Sequence, residues 1–422
     1  MANTGKIAEV LFENALDTYE DQTMMIDKTQ VFEPEGGTMQ NAGNVIWRPY
    51  DQHAPVIDGW DLTGQEQDII ETTYPAYLGT PKNDFVQQRA DDLRDTTFWK
   101  RRGIASGRQQ ANDLNKSLAN LVKNTGSLFY RSSATSGFDF IGEAQTIMNE
   151  RQGTHTERCF AMNDRDSQFY AQDLAGRQTV QGRPEEVWKK GMIANNVAEF
   201  DVYTGSFLPN LAGGASPDTT VSANLSFKPE GGSVDNATGI VTNVDHREAV
   251  IPVVASASYN IGDKVTIGAV ESIGVADKTE TGQLMTFTVV AKPSGTSIKV
   301  YPKPIAADDV ALTATEKAYA NVNTTISSGD TVARLNTDTS ARTNLFWDKD
   351  SIEVVGGTIP AELMKQYDGM KVIRETLSNG LNMYMVYDAN MVNMNLRYRL
   401  FLWYGLTNKD PSRNGVAARF TA

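Results

Sequence analysis

The strongest constraint on the fold is a change of texture inside the chain. From residue 222 to about 340, roughly a third of the residues are Val, Ile or Thr, and none of the six tryptophans falls there. β-Branched side chains are stiff at χ1 and pack well on a pleated surface, so this run favours strands. Turn-forming residues recur through it at the spacing of a small barrel or sandwich. "VASASYNIGDKVTIGAV" predicts a strand, a turn at Gly262-Asp263, then a strand on which Val265 and Ile267 alternate. "TFTVVAKPSGTSIKVYPKPI" predicts a hairpin turning at "PSGTS". The flanking parts mix helix and strand, so an all-β domain inserted into an α+β body is expected. With 422 residues the chain is long enough for two or more cores.

In the body, residues 6–19 place Ile7, Val10, Leu11, Ala15 and Tyr19 near one helical face, with Glu9, Glu13, Asp17 and Glu20 off it. Such a helix either docks on its own domain or reaches a partner. "NVIWRPY" and "QDIIETTYPAYLG" predict two strands joined by a long, turn-rich link, a projecting β-arm. "NDFVQQRADDLRDTTFWKRR", residues 83–102, reads as a helix with a thin apolar stripe (Val86, Ala90, Leu93) and charged sides that include Asp91, Asp92, Arg94 and Asp95. Beyond Gly103 and Gly107 a second helix carries Leu114, Leu118, Leu121, Val122 and Leu128. Further helices are expected at "SGFDFIGEAQTIMNERQG", at "DRDSQFYAQDLAGR", and at "RPEEVWKKGMI" with Pro184 near its start. "RCFAMN", "AEFDVYTGSFLP" and the alternating "NMYMVYDANMVNMNLRYRLFLWYG" read as strands.

Chemistry-bearing motifs are scarce. His53, His155 and His246 lack metal-ligand spacing, and no P-loop, G-x-S-x-G, C-x-x-C or G-x-G-x-x-G occurs. "DKDSIE" begins like a calcium loop but has Glu353 where the glycine belongs. No catalytic, cofactor or metal site is expected. Cys159, the single cysteine, reads as a buried structural thiol. The net charge of −13 opposes tight duplex binding, which needs Lys and Arg to displace counterions. No run of 18 apolar residues and no secretory leader pattern appears, so no membrane association is expected. Two rival classes are a hydrolase with an inserted β-domain, which needs a pocket of convergent perturbed acids, and a glycan-binding module. The latter needs exposed, clustered aromatics among Phe227, Tyr259, Phe287, Tyr301 and Tyr319.

Several long runs, "NDFVQQRADDLRD", "SFKP", "KPIAADDVALTATEKAYANVNT" and "ARTNLFWDKDSI", resemble the major capsid (coat) proteins of short-tailed Salmonella and Shigella phages, the Lederbergvirus group. The resemblance runs in order over nearly the whole chain and is weakest at 233–297. It implies the tailed-phage capsid fold named for phage Hong Kong 97. The N-terminal arm would be 1–44, the E-loop 45–82, and the spine helix with the peripheral domain 83–156. The axial domain would be 157–221, the inserted β-barrel 222–340, and the return strands 341–422. The implied function is self-assembly of pentamers and hexamers into an icosahedral virion shell in the bacterial cytoplasm, enclosing double-stranded DNA without sequence-specific binding. The implied partners are a scaffolding protein and a portal protein. Inter-subunit contacts are expected at Asp91, Asp92, Arg94 and Asp95, and at Asp235, Asp245 and Arg247 of a projecting loop at 233–248. Glu9, Glu13, Asp17 and Glu20 are expected to meet the scaffolding protein.

Overall fold

The computed structural model describes residues 3–50, 60, 69–89, 95–151, 157–177, 192–213, 218–231, 244–337, 341–360, 371–390, 392 and 395–419. The chain opens with α1 (Asn3–Gln22), β1 (Gln30–Phe32) and α2 (Gly36–Asn41), followed by β2 (Val45–Pro49), β3 (Thr73–Tyr77) and β4 (Lys82–Arg89). Next come α3 (Thr96–Thr125), β5 (Leu128–Ser132), α4 (Gly137–Glu150), β6 (Arg158–Met162) and α5 (Asp164–Arg177). β7 (Met192–Val197), β8 (Phe200–Thr204) and β9 (Asn210–Leu211) precede the strand-rich middle. That middle holds β10 (Thr219–Thr220), β11 (Ala249–Pro252), β12 (Lys264–Ile267) and β13 (Glu271–Ile273). It continues with β14 (Glu280–Leu284), β15 (Phe287–Ser294), β16 (Ser297–Tyr301) and β17 (Thr331–Arg334). The return path is β18 (Ala341–Asp348), β19 (Ile352–Gly356), β20 (Lys371–Thr376), β21 (Asn382–Asn390), β22 (Asn395–Leu402), β23 (Tyr404–Asn408) and β24 (Asn414–Arg419).

The central sheet runs β5-β24-β18-β6-β8-β7, with β9 paired to the far end of β18. One face is covered by α4 and α5, where Phe140, Ile141, Ala144 and Tyr170 pack on Phe160, Phe200 and Phe346. The other face, with Cys159, Ala161, Leu345, Trp347 and Val416, packs toward α3. A second, four-stranded sheet of order β20-β21-β22-β4 supplies Met383, Met385, Tyr398, Leu400 and Leu402 to that same core. The expected alternation over 382–402 and the expected helices at 137–150 and 164–177 are therefore present. β2 and β3 pair antiparallel from Val45–Tyr77 to Pro49–Thr73, as the two-strand arm requires. The expected helix after Pro184 lies outside the described residues.

The stretch 83–102 is not one helix. All eight residues of β4 pair with β22, from Lys82–Leu402 to Arg89–Asn395. Asp84, Val86 and Gln88 are half-buried while Asn83, Phe85, Gln87 and Arg89 are exposed, a period of two. A single valine in a polar run fits either period, and the free edge of β22 settles it. The helix starts at Asp95, whose carboxylate accepts from Thr97 N at 2.9 Å as an N-cap. α3 then runs for 30 residues, about 45 Å, and stops at Gly126, so Leu128, expected on the helix, opens β5 instead.

Gly103 and Gly107 do not separate two helices. They lie inside α3, on the side facing α1. A Cβ on Gly103 would sit 2.4 Å from Leu11 O, and one on Gly107 2.2 Å from Ala15 O. The pair lets the two backbones touch. α1 is thus docked on its own chain, burying Leu11, Phe12, Ala15 and Tyr19, while Val10 points outward.

The strand-rich middle has its own core: Ile251, Val265, Ile267, Phe287, Val289, Ile298, Val300 and Val332 are fully buried in one cluster. Its main sheet runs β10-β17-β12-β15-β16-β11. An antiparallel bridge joins Val221 to Val253, with Ser222 N donating to Pro252 O and Val254 N to Thr220 O, both at 3.0 Å. The two edge strands of the sheet are therefore bonded to each other. The "PSGTS" hairpin is present, Ser294 opposite Ser297. The sheet starts at Thr219, slightly before the texture change at 222. Its β12 is buried on both faces, since Lys264 and Thr266 are buried along with Val265 and Ile267.

The helix contact is testable by sign. Gly103→Ala and Gly107→Ala should each destabilise by about 1–3 kcal/mol, because the added methyl overpacks against backbone. Alanine is otherwise the better helix former by about 1 kcal/mol. Gly142→Ala in α4, where a Cβ meets nothing within 4 Å, should stabilise by up to about 1 kcal/mol. Urea unfolding of the three variants checks this. Equal effects at all three positions would contradict the close-contact account.

Candidate functional site

Three charged regions emerge from this architecture. The first is the outer face of α1. With Leu11, Ala15 and Tyr19 turned to α3, the helical period leaves Glu9, Glu13, Asp17 and Glu20 exposed in one row. Glu20 also accepts from Ser378 N at 2.8 Å, which ties the end of the row to the β20–β21 turn. The structure brings these four predicted residues together.

The second region lies where β4 meets α3. Asp95 combines its cap with an ion pair to Arg101 at 3.3 Å, and the bonds from Thr97 hold its carboxyl below the usual range. Arg102 turns inward instead. One of its terminal nitrogens lies 2.7 Å from both oxygens of Asp84, and its Nε donates to Tyr398 OH at 2.9 Å. Ser106 bonds the same carboxylate. The bases at the end of the stretch 83–102 thus divide: Arg102 fastens helix to sheet, while Lys100 and Arg101 stay at the surface. Asp91, Asp92 and Arg94 lie outside the described residues.

The third region is the junction between the strand-rich middle and the body. Here the structure corrects an expectation. Asp245 and Arg247, placed by the sequence on a projecting loop, face the body of their own chain and are nearly buried. Arg247 donates to Asp245 through Nε at 2.9 Å and Nη2 at 2.6 Å. Its Nη1 donates to Asn408 O at 3.1 Å and Lys409 O at 2.7 Å. Burial opposes the charge, but the Asp245 carboxylate outweighs it and pushes the guanidinium further up. The projecting loop was what the resemblance to phage coat proteins implied for 233–248. The missed signal was the pair itself, an acid and a base two residues apart that can satisfy each other on burial. Asp235 lies outside the described residues.

Beside it, Arg413 binds Asp410 at 2.7 Å, and the arginine holds that buried carboxyl below its usual range despite burial. On the far side of the junction Lys264 reaches the C-terminal end of α3. Its Nζ donates to Lys123 O at 3.0 Å, to Gly126 O, and to Thr288 Oγ1 at 3.0 Å. An ammonium at a helix C-terminus meets unpaired carbonyls and the negative end of the dipole. Burial nevertheless pushes Lys264 down to about 7, against the pull of Asp263 and with the push of Lys123.

The rival classes fare poorly on this geometry. Tyr259, Phe287 and Tyr301 are buried, so they form no aromatic platform. Glu230 and Asp410, acids at a cleft between the strand-rich middle and the body, are held low by cations despite burial. Glu248, pushed up by burial, is already paired with Lys299. Cys159 is fully buried and its thiol is pushed well up by burial, as a structural thiol would be.

The described residues thus show a body with exposed charged faces and a strand-rich middle fastened to it by nearly buried polar contacts. A family model described as "P22 coat protein - gene protein 5" matches residues 1–418, and the chain belongs to that family. It is a structural major capsid protein of a tailed phage, not an enzyme, and its place is the capsid of the virion. Its described residues form an α+β arrangement with a separate strand-rich core. Among solved structures it is similar to the CUS-3 coat protein I-domain, at 32% identity over 29% of this chain and 99% of that one, with a TM-score of 0.24. It is also similar to the capsid structure of cyanophage P-SCSP1u, at 9% identity over 95% and 89% of the two chains, TM-score 0.46. The head structure of Helicobacter pylori bacteriophage KHP40 matches at 9% identity over 94% and 90%, TM-score 0.43.

Two outcomes test the junction. Arg247→Ala strands the Asp245 carboxylate and two carbonyls in a nearly buried site, and should cost about 3–5 kcal/mol in monomer stability. Unfolding of purified monomer measures it, and a loss under about 0.5 kcal/mol, typical of surface positions, would return the pair to the surface. For Lys264 the folded value near 7 lies below an unfolded value of about 10.4, so the unfolded chain binds more protons between those limits. The stability of the wild type relative to Lys264→Met should therefore rise from about pH 7 to about pH 9.5, by at most about 1.4 kcal/mol per pH unit. Paired urea melts at the two pH values check the sign.

Proposed function

We propose that this coat protein builds pentamers and hexamers of an icosahedral shell around double-stranded DNA, as in the Lederbergvirus group. It does so by way of a precursor assembled on a scaffolding protein in the host cytoplasm, with a portal protein at one vertex. The family match over residues 1–418 carries the shell-forming part of the reading. The net charge of −13 supports confinement of DNA without tight binding. The domain scheme goes with it: arm 1–44, E-loop 45–82, peripheral domain with spine helix 83–156, axial domain 157–221, inserted β-barrel 222–340, return strands 341–422. The edge-to-edge bonding around Val221 and Val253 supports the barrel, and the separate core supports its treatment as a unit.

In this reading Asp91, Asp92, Arg94, Asp95 and Asp235 serve contacts between subunits. Exposed ion pairs contribute only about 0–1 kcal/mol each. That suits a shell, because many weak charged contacts select partner and register and let errors dissolve. The scaffolding contact is assigned to the exposed row Glu9, Glu13, Asp17 and Glu20. The supporting observation is that α1 is rigidly docked by its other face, so the row is presented at little entropic cost to a basic partner element.

Neutralising that row tests the assignment. The double variant Glu13→Gln/Asp17→Asn should keep the monomer's melting temperature. It should assemble several-fold more slowly with a scaffolding protein, with weaker dependence on salt, since screened contacts are gone. Light scattering and electron microscopy across a salt series read this out. Wild-type rates and salt dependence would remove α1 from the scaffolding contact.

A further inference from the structure

A cleft of about 460 Å³ lies where the inserted sheet meets the base of the β2–β3 arm, the end of α4 and the Pro411–Arg413 turn. Five lysines and arginines line it against two carboxylates, Glu230 and Asp410. Both carboxylates are already engaged. Glu230 takes Lys303 at 2.7 Å and His246 at 3.1 Å, and Asp410 takes Arg413. Arg247 is answered by Asp245. Two cations are left over, one from each side of the junction.

Arg151 comes from the body, as the residue closing α4, and is only 9% exposed. Its guanidinium donates to the thioether of Met285, a weak acceptor. Among the described residues no carboxylate lies within ion-pair distance of it. Burial pushes it down to about 10, with only the neighbouring Glu150 pulling the other way. Lys278 comes from the inserted part and bonds one carbonyl, Ala320 O at 3.2 Å. A buried arginine with no carboxylate beside it is costly, and a guanidinium that lines a cleft with only a thioether as acceptor keeps donors for an oxyanion.

We propose that the cleft binds a small oxyanion of the phosphate or carboxylate class. Arg151 supplies the forked hydrogen bonds and Lys278 the second charge, so that the anion clamps the insertion to the body. This is a property of the single chain and stands apart from any assignment of shell contacts.

Full-length monomer is the material for the test. Phosphate stabilises most proteins through exclusion from their surface, so the comparison with a variant is what decides. At matched ionic strength, 10 mM inorganic phosphate should raise the wild-type melting temperature over sodium chloride by several degrees. Arg151→Met, close in length and uncharged, should abolish that rise. It should also melt at or above the wild type without phosphate, because the unpaired charge is gone. Lys278→Met should weaken phosphate binding several-fold by isothermal titration calorimetry, and decides the matter if Arg151→Met does not fold. A parallel arm with succinate separates the sources. A larger effect of succinate points to a carboxylate, a larger effect of phosphate to a phosphoryl ligand. No difference from chloride for either anion would overturn the proposal, as would equal responses in the wild type and the variants.

Discussion

The structure is organised around one helix that other elements grip on every side but one, the exposed stripe Arg101, Ala105, Arg108, Asn112 and Lys116. α3 touches α1 through backbone at Gly103 and Gly107 and is tied to the four-stranded sheet through Arg102, Asp84 and Tyr398. It turns Ala111, Leu114, Leu118 and Val122 into the core shared with the central sheet. Its last carbonyls are answered by Lys264 from the insertion. Four otherwise separate parts therefore share one rigid reference. In a subunit that must present several surfaces at fixed angles, such a reference keeps those angles from drifting.

The fastening of the insertion follows from the same need. The strand-rich middle has a core of its own, so contacts across the junction are what hold it to the body. The holding groups are polar and nearly buried: Asp245–Arg247 against β23 carbonyls, and Lys264 against the end of α3. Each satisfies donors and acceptors that would otherwise be stranded, so the junction is strong in one register and poor in any other. The surplus cations Arg151 and Lys278 at its open side are the exception to this complete pairing, which is why they draw a ligand.

The surface obeys a different rule. The row on α1 and the Asp95–Arg101 pair are exposed, individually weak and free to exchange partners. A capsid subunit needs both regimes: buried polar contacts that fix its own shape, and exposed ones that are formed and broken during assembly.

Much of this was legible in the residues themselves. The β-branched stretch marks the inserted sheet because stiff side chains favour strands wherever they occur, and the alternation of Met383, Met385, Tyr398, Leu400 and Leu402 marks a half-buried sheet. The long runs shared with phage coat proteins carry the family. The acidic row was legible too, since helical period alone puts Glu9, Glu13 and Asp17 together. What the sequence could not decide was every choice made by a distant partner. Residues 83–89 are a strand because the edge of β22, over 300 positions away, offers a ladder that a polar run with one valine has no local reason to choose. Gly103 and Gly107 read locally as helix breakers, but the backbone of α1 makes them contact points. Asp245 and Arg247 have the composition of a solvated turn, and only the carbonyls of Asn408 and Lys409 turn them into a buried fastening. Local sequence sets period and propensity, whereas burial is set by whichever surface arrives from elsewhere in the chain.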